Sequence, residues 1–598
     1  MRGRWTNGAH IQWSLWSVIV CWVILFFFRF HPIHDKPISW DALGYYLPLA
    51  FTCIHHDPLL TDKAWLEERN ARDDLSGTLY QITISPEGKD MYFFLFGWSY
   101  CYAPFFGIGH IAAITFGYPA DGFSWPYQLA LTAGGLIYMA IGLFFWRKIL
   151  RTYFDDRTTA ITIFCIVLGT NFVNHLSIDN LSTVNLLFMW MAVLIWNTSA
   201  WYRTGQGKHL VGILFSWGIM TLIKPSETLV CLIPLLWKAE WNLPVTWLSA
   251  FRLAFRTPKY LIIGIGCVLL LLTPQVTYWY TMTGQLLFDS YQNAGVGLDW
   301  LHPHFMDVLF SYRKGWFVYT PIMIFACIGW VWFWRSNPKE GSALMWSFLV
   351  FFYVVASWTE WWYGGGFSQR TLIPSYVILS LGFAAFVRFA SNRATWIRIA
   401  LAFVCVLLIG LNQFQWWQFK KGILDPYRTT ERYFKAVWLK TAAPPNGDLL
   451  KLVQRNFNDE LTFDSAHYRL KTILYPTPQM QIDTALSRAE WAYDMNIPFN
   501  ELTDSDHLWL MIDAELEWGS FATDLPLLVF YVKHNGVYGY RAVPFQRNDS
   551  SSFSTKSFIY LTPELRDHRD VIGTHIWNRN KVPFKVRRWQ LKVYEPIG

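Results

Sequence analysis

Apolar runs long enough to cross a bilayer follow one another along the chain until about residue 417 and then stop. A bilayer core needs about 20 mostly apolar residues per helix. Such runs also explain why only 15% of the 598 residues are charged, against roughly 25% in soluble globular chains. We therefore predict an all-α polytopic membrane domain over residues 1–417. Its eleven predicted spans lie near residues 13–30, 125–146, 158–175, 179–200, 209–223, 226–239, 259–282, 316–335, 343–360, 369–387 and 396–416.

The basic residues in the short loops indicate the orientation, because loops rich in Lys and Arg stay on the cytoplasmic side. The apolar stretch 93–116 decides between two arrangements. If this stretch crossed the membrane, the basic loop 147–151 would lie outside; if it lies flat on the outer interface, every basic loop falls inside. Pro104 and Gly107 suit an interfacial helix. We therefore predict that residues 93–116 lie on the outer surface.

The first apolar run follows Arg2 and Arg4 and has no small-residue cleavage site after it. It is interpreted as a retained signal-anchor helix. The net charge of +8 reflects the basic inside loops, so it does not predict a nucleic-acid partner. Most of the eight cysteines sit in apolar runs, with no disulfide or zinc spacing. The chain is predicted to be a multi-pass protein of the inner (plasma) membrane.

Residues 418–598 read like a soluble domain, rich in charged residues and Asn. Apolar runs such as 508–512 and 527–532 alternate with turn signals such as Asn535-Gly536, which is typical of a β-sandwich. We predict a mainly β, extracytoplasmic domain. The predicted outer loops are residues 31–124, 283–315 and 361–368.

Asp41 is the first candidate for chemistry, in the first outer loop just beyond the first span. A carboxylate beside the membrane is costly and is a functional candidate by default. A general base needs such a partly desolvated position close to a lipid-borne group. The alternative is that Asp41 caps a helix that begins at Ala42, a role that Asp performs well.

A second cluster lies at residues 361–370. Three consecutive glycines, Gly364 to Gly366, let a backbone come close to a ligand. Arg370 follows them and could bind a phosphate with two parallel hydrogen bonds. Trp361, Trp362 and Tyr363 are predicted sugar or acceptor contacts. Alternatively, these aromatics form a membrane belt and Arg370 reaches the lipid headgroups.

The other candidates come from further outer loops. His302 is a predicted sugar or acceptor contact, and its spacing from His304 only weakly suggests a metal. Arg313 and Lys224 are predicted to contact a phosphate, unless they meet lipid headgroups instead. Lys314, beside Arg313, and His175 with Asp179 at a further outer turn are additional candidates; the last two could simply pair with each other.

Several segments, which together run through most of residues 12–417, share motifs with a known family. They are SWDALGYY (39–46), GYPADGFS (117–124), GTN (169–171), LHPH (301–304), RKGWFVYTP (313–321) and WWYGGGFSQR (361–370). With these motifs the chain resembles the GT-C glycosyltransferase superfamily, which includes protein O-mannosyltransferases and the aminoarabinose transferase of lipid A. One departure is that Met91 occupies a place where a Lys is expected, while Lys89 lies two residues earlier.

The resemblance implies a polyprenyl-phosphate sugar donor, an acceptor met on the outer face, and Asp41 as the catalytic base. The acceptor would be a glycan, a lipid or a protein. The predicted reaction is an inverting transfer in which Arg370, with Arg313 or Lys224, balances the charge of the leaving phosphate. A divalent cation occurs in some GT-C enzymes, but the sequence offers no confident ligand set. The alternatives are a transporter or flippase of lipid-linked sugars, or an oligosaccharide ligase or polymerase.

Overall fold

The computed structural model describes residues 12–30, 36–240, 243–291, 295–455, 462–475, 488–518, 525–545 and 553–597. Arg2, Arg4 and the start of the predicted first outer loop lie outside the described residues. The chain divides into two compact units. The helical unit comprises Met1–Ser290, Trp300–Ser357 and Trp361–Pro445, and the β unit comprises Tyr291–Asp299, Trp358–Glu360 and Asn446–Gly598.

Seven helical segments of the described chain are long and apolar enough to cross a membrane. They are α1 (Trp13–Phe30), α5 (Trp125–Tyr153), α7 (Thr183–Thr204), α11 (Pro258–Thr283), α15 (Pro338–Ala356), the segment Arg370–Ser391, and α17 (Thr395–Lys420). Within Arg370–Ser391, a 3-10 turn (Arg370–Ser375) leads into α16 (Tyr376–Ser391). These helices are compatible with the predicted multi-pass membrane protein.

The remaining helices of this unit are shorter or less apolar. They are α2 (Trp40–Cys53), α3 (Ala64–Asp73), α4 (Gly97–Thr115), α6 (Asp156–Gly169), α8 (Gly207–Ile223), α9 (Leu232–Leu236), α10 (Ser249–Phe255), α12 (Phe305–Phe310), α13 (Trp316–Tyr319), α14 (Ile324–Ser336) and α18 (Glu431–Val437). A π-helical turn (Val173–Ile178), 3-10 turns (Pro225–Cys231, Pro244–Leu248, Pro321–Met323) and a hairpin of β1 (Ile82–Ile84) and β2 (Asp90–Tyr92) complete it.

Local sequence sets the helix ends. Asp155 caps α6 by accepting from the Thr158 amide, as N-cap carboxylates do. Pro126 and Pro258 stand in the first turns of α5 and α11, where a missing N–H costs nothing. Gly205 ends α7 with φ 66°, a left-handed conformation that glycine adopts without strain.

The helices differ in how much apolar surface the protein itself covers. Arg370–Ser391 is the most enclosed, with 89% of its apolar window buried, and α16 packs on α14. In α11 and α17 only 17% and 6% of the window is buried. Apolar helices with so little protein cover suit a lipid environment, in which their backbone groups are satisfied internally.

The β unit contains two four-stranded antiparallel sheets, ordered β3-β10-β5-β8 and β4-β9-β6-β7. Its elements are β3 (Tyr468–Leu474), β4 (Trp491–Pro498), α19 (Phe499–Leu502), β5 (Trp509–Trp518), β6 (Leu527–His534), β7 (Gly536–Pro544), β8 (Phe553–Leu561), β9 (Val571–Trp577) and β10 (Phe584–Pro596). The strands include residues 509–512 of the predicted run 508–512 and the whole run 527–532, and Asn535 makes the turn between β6 and β7. Buried side chains of both sheets, such as Ile512 and Phe530, share one hydrophobic core.

Candidate functional site

Asp41 lies in the first turn of α2, which begins at Trp40. The interpretation that Asp41 caps this helix is therefore wrong, because the N-cap residue is Ser39, two positions earlier. Trp40 has φ 49°, a left-handed conformation that a bulky residue adopts only when its surroundings enforce it. Here the Trp40 amide donates to the Leu75 carbonyl (3.0 Å) and the Gln81 side chain donates to the Trp40 carbonyl (3.0 Å). This bracing fixes the position from which Asp41 projects.

Both oxygens of the Asp41 carboxylate have partners. The Arg370 guanidinium donates to Oδ2 at 2.7 Å, and the Tyr80 hydroxyl donates to Oδ1 at 2.5 Å. Asp41 and Arg370 are 329 positions apart in the chain, so the fold joins the two predicted clusters. The ion pair is the centre of the candidate site.

The Asp41 carboxylate keeps exposed surface although protein surrounds it. Its side chain is 38% exposed and that of Arg370 is 22% exposed, so both side chains reach the surface. Burial raises the pKa of the Asp41 carboxyl, but Arg370, the Tyr80 hydrogen bond and the charge of Lys224 outweigh burial and hold the pKa below its usual value. At neutral pH the carboxylate is ionised and can accept a proton.

Lys224 is a second cation beside the Asp41–Arg370 ion pair. It lies between α8 and the 3-10 turn that begins at Pro225, and its backbone is extended rather than helical. Its ammonium lies 5.0 Å from the centre of the Tyr363 ring, within cation–π range. Burial lowers the pKa of Lys224 to about 8 against the opposing negative charges of Glu227 and Asp41, and the positive charge of Arg370 lowers it further. Lys224 is therefore charged at neutral pH but close to titration.

The glycines Gly364 to Gly366 pack against neighbouring side chains, among them Tyr427 and His175. A Cβ on Gly365 would lie 2.3 Å from the Tyr427 hydroxyl, and a Cβ on Gly366 would lie 2.9 Å from the His175 ring. The Lys314 ammonium donates to the Gly366 carbonyl, and the His175 Nε2 lies 3.0 Å from the Phe367 carbonyl. The glycines are thus needed for close approach by neighbouring side chains, in addition to any approach by a ligand.

Gly366→Ala is expected to destabilise the helical unit by roughly 1–3 kcal/mol, as overpacking of a tight site does. His175 cannot move aside easily because it is fully buried and bonded to Phe367. Thermal unfolding of the purified protein in detergent measures the effect. Gly107→Ala is the matched control, since nothing lies within 4 Å of a Cβ at Gly107. Equal melting temperatures for the two variants would contradict the prediction.

Arg313 and Lys314 are neighbours in the chain but have different surroundings. The Arg313 guanidinium lies 4.0 Å from the Trp362 ring centre. Lys314 is only 1% exposed, and burial together with the charges of Arg313 and Arg370 holds its pKa well below the usual value. Arg313 is thus placed against a predicted sugar contact, whereas Lys314 supports the glycine segment.

The other predicted contacts are less closely gathered. Trp361 is half-buried, with its ring 5.7 Å from that of Trp362 and 6.3 Å from that of His304. His302 is exposed, and His304 pairs with Asp307 at 3.1 Å. The described geometry thus brings Asp41, Arg370, Lys224 and Tyr363 together, but it does not bring His302 into that group.

His175 and Asp179 flank the site at the π-helical turn. Their nearest nitrogen and oxygen are 3.6 Å apart, so the predicted pairing is present. Asp179 is 46% exposed, and its charge also acts on Arg370. π-Turns within helices are frequent at functional sites, which makes Asp179 a second carboxylate of the candidate site.

Two contributors were not singled out in the sequence. Tyr80 lies before β1, in a stretch without motif or periodicity. Glu227, three residues after Lys224, is 1% exposed, and its Oε2 has no hydrogen-bond partner within the described chain. Its carboxyl acts on Lys224 electrostatically. A buried Glu close to a Lys in an apolar stretch is the one signal that could have marked it.

The described residues include no group of three or more His, Cys, Asp and Glu side chains that could hold a metal ion. Around the Asp41–Arg370 ion pair the described residues place a second carboxylate, Asp179, a second cation, Lys224, and the Tyr363 ring. Such a site suits an anionic ligand beside a proton acceptor. No protein-family model matches the chain. No curated protein matches it either.

Proposed function

We propose that the chain is a GT-C-type glycosyltransferase that moves a sugar from a polyprenyl-phosphate donor to an acceptor hydroxyl on the outer face of the membrane. The observation that carries the proposal is the accessible Asp41 carboxylate bonded to Arg370, with Lys224 beside them. A phosphate leaving group needs preorganised positive charge, and an acceptor hydroxyl needs a base within hydrogen-bonding reach. In the ion pair, Arg370 supplies the positive charge and Asp41 supplies the base.

The donor phosphate competes with Asp41 for Arg370. When the guanidinium turns to the phosphate, Oδ2 loses its partner, and the carboxylate becomes a stronger base because the charge that lowers its pKa is shared. Tyr80 still holds Oδ1 and keeps the carboxylate oriented. Donor binding therefore prepares the base, and the acceptor is activated only in the presence of donor.

The transfer itself is a single displacement. Asp41 Oδ2 accepts the proton of the acceptor hydroxyl while the acceptor oxygen bonds to the anomeric carbon, opposite the phosphate. The bond from that carbon to the phosphate oxygen breaks with its electron pair, and polyprenyl phosphate leaves. Arg370 and Lys224 balance the charge that develops on it, with Arg313 nearby. The sugar is transferred with inversion.

The proposal includes the eleven spans, the outer position of residues 93–116 and an extracytoplasmic β-sandwich. The seven long apolar helices support the multi-pass part. Two sheets that share one core support the sandwich. The half-buried Tyr363 ring, which faces the Lys224 ammonium, supports a lining that binds the sugar, whereas Trp362 is buried beneath Arg313.

Transfer is tested with the purified protein in liposomes, given polyprenyl phosphates that carry different radiolabelled sugars, and membranes of a strain that lacks the gene as the acceptor source. Label is expected to pass from the lipid to a lipid-, glycan- or protein-bound product, with release of polyprenyl phosphate. Movement of intact donor between leaflets without release would instead support a flippase. Consumption of lipid-diphosphate donors alone would support a ligase or polymerase.

Lys224 predicts a specific pH dependence. Below a pKa of about 8 the ammonium is charged and attracts the phosphate, and above it the charge is lost. The KM for donor is therefore expected to rise by about tenfold between pH 7 and pH 9, since one close charge contact is worth on the order of 1–2 kcal/mol. Lys224→Arg should flatten this rise because a guanidinium stays charged. The same rise in both proteins would assign the titration to another group.

A further inference from the structure

The β unit carries a cluster of aromatic side chains on the outer face of the sheet β4-β9-β6-β7. Alternation along β9 places Ile572 and Ile576 in the core and His575 and Trp577 on the opposite face. Trp577 pairs across the strands with Trp491 of β4. In β6, Tyr531 lies on the same outer face, since its ring is 5.4 Å from that of His575. We call these four residues the aromatic platform.

Trp491 is the exposed member of the platform and is held in place. Its ring lies parallel to that of Trp577 (5.4 Å, 3°) and meets the His575 ring edge-on at 4.8 Å. Yet Trp491 is 54% exposed. β4 is the edge strand of its sheet, so among the described residues no further strand of that sheet covers the far side of this indole. A rigid, open aromatic face of this kind binds at a low cost in conformational entropy.

Hydrogen-bonding groups stand beside the rings. The Tyr531 hydroxyl donates to Asn496 at 2.7 Å, and the Asn496 amide donates to Asp494 at 3.0 Å. Asp494 also approaches His575 at 3.9 Å, which places this polar pair on the face of the platform. Both Asp494 and Asn496 are exposed, so each keeps surface for a ligand.

The platform also leaves two polar atoms unsatisfied. His575 is only 9% exposed, and within the described residues its Nε2 and the Trp577 Nε1 have no hydrogen-bond partner. Buried polar atoms are normally paired.

We propose that the aromatic platform binds a neutral saccharide chain, the acceptor glycan or a glycan near it. A pyranose ring lays its C–H face on an indole, and its hydroxyls bond to carboxylate and amide groups at the ring edge; Trp491 with Asp494 and Asn496 offers this combination. The charges at the platform are of both signs, with Asp494 on one side and Arg579 over the Trp577 ring at 5.5 Å. This balance fits a neutral ligand better than an anionic membrane surface. The choice of glycan rests on the proposed transferase function.

Binding is measured without donor, so that it is independent of transfer. The full-length protein is immobilised in biotinylated nanodiscs, and interferometry measures its binding to soluble β-glucan, mannan and xylan. Anionic alginate and phosphatidylglycerol vesicles are tested as alternative ligands. Wild type is expected to bind at least one neutral polysaccharide. Trp491→Ala should weaken that binding at least tenfold and Trp491→Phe less, with unchanged melting temperatures. Tyr475→Ala is the control, since Tyr475 is an exposed aromatic of the β unit outside the platform.

Asp41→Asn should bind polysaccharide like the wild type, which separates a failure of this proposal from a failure of the transferase. Binding to none of the neutral polysaccharides, or equal binding by Trp491→Ala, overturns the platform. Trp491-dependent binding to the vesicles alone would assign the surface to a membrane. Trp491-dependent dimerisation in sedimentation, without saccharide binding, would assign it to a second copy of the chain.

Discussion

Asp41→Asn is expected to lower kcat for sugar transfer by about 10²–10⁴-fold, the usual loss when a general base is removed. The amide is close in size to the carboxylate and can still accept from Tyr80 through its oxygen, but it cannot take the acceptor's proton. The same change frees Arg370 from its ion pair. Donor binding should therefore stay as tight or become tighter. Single-turnover kinetics together with donor binding measurements separate the two effects.

Asp62→Asn is the matched control for this variant. Asp62 lies in the same predicted outer loop, and its oxygen accepts from the Ala64 amide at 2.9 Å, which Asn does equally well. Its transfer rate should equal that of the wild type. Donor turnover that survives Asp41→Asn would remove the base from the mechanism. A large loss of donor affinity would contradict competition between the phosphate and Asp41 for Arg370.

The long apolar helices were predictable because a chain that crosses lipid has few options. Backbone groups must be satisfied within each helix, so length and apolarity alone identify segments such as α1 and α11. Interruptions are harder to predict. The break at Lys224 was predicted, but the 3-10 turn that follows it (Pro225–Cys231) and the break between α13 and α14 lie inside predicted spans. Both begin at a proline.

The candidate site was predictable where a charged residue borders a long apolar segment. Asp41 and Arg370 both stand out on that ground, although nothing in their spacing indicates that they form an ion pair. Tyr80 has no such charge, and its hydroxyl becomes important only through a tertiary contact. The capping interpretation of Asp41 is wrong because α2 begins earlier than the sequence suggests, at the strained Trp40.

The different surroundings of adjacent residues were also hard to predict. Arg313 and Lys314 form one basic pair in the sequence, yet one lies on the Trp362 ring and the other is buried against Gly366. In the same way, residues 291–299 and 358–360 belong to the β unit although they lie between apolar runs. Such assignments depend on non-local contacts that no local pattern encodes.

Arg370→Gln is expected to lower kcat/KM for donor by roughly 10²–10³-fold, as loss of one preorganised charge contact does. The change should also be visible in the pH profile. Arg370 is the first of the groups that lower the pKa of Asp41 against the opposing effect of burial. Without the guanidinium, that pKa rises, so the acidic limb of the rate profile should move to higher pH.

Arg370→Lys keeps a charge but loses the planar, two-pronged donor, so it should restore the position of the acidic limb more fully than the rate. Arg388→Gln is the control, because Arg388 is an exposed residue near the other end of the segment Arg370–Ser391. The double variant with Asp41→Asn should lose donor affinity well beyond Asp41→Asn alone, since the guanidinium that Asp41→Asn frees still contacts the donor phosphate. An acidic limb that stays in place in Arg370→Gln, with intact folding, would mean that this ion pair does not tune the base. The Arg370 side chain would then serve phosphate binding alone, and donor binding would not prepare Asp41 for the acceptor.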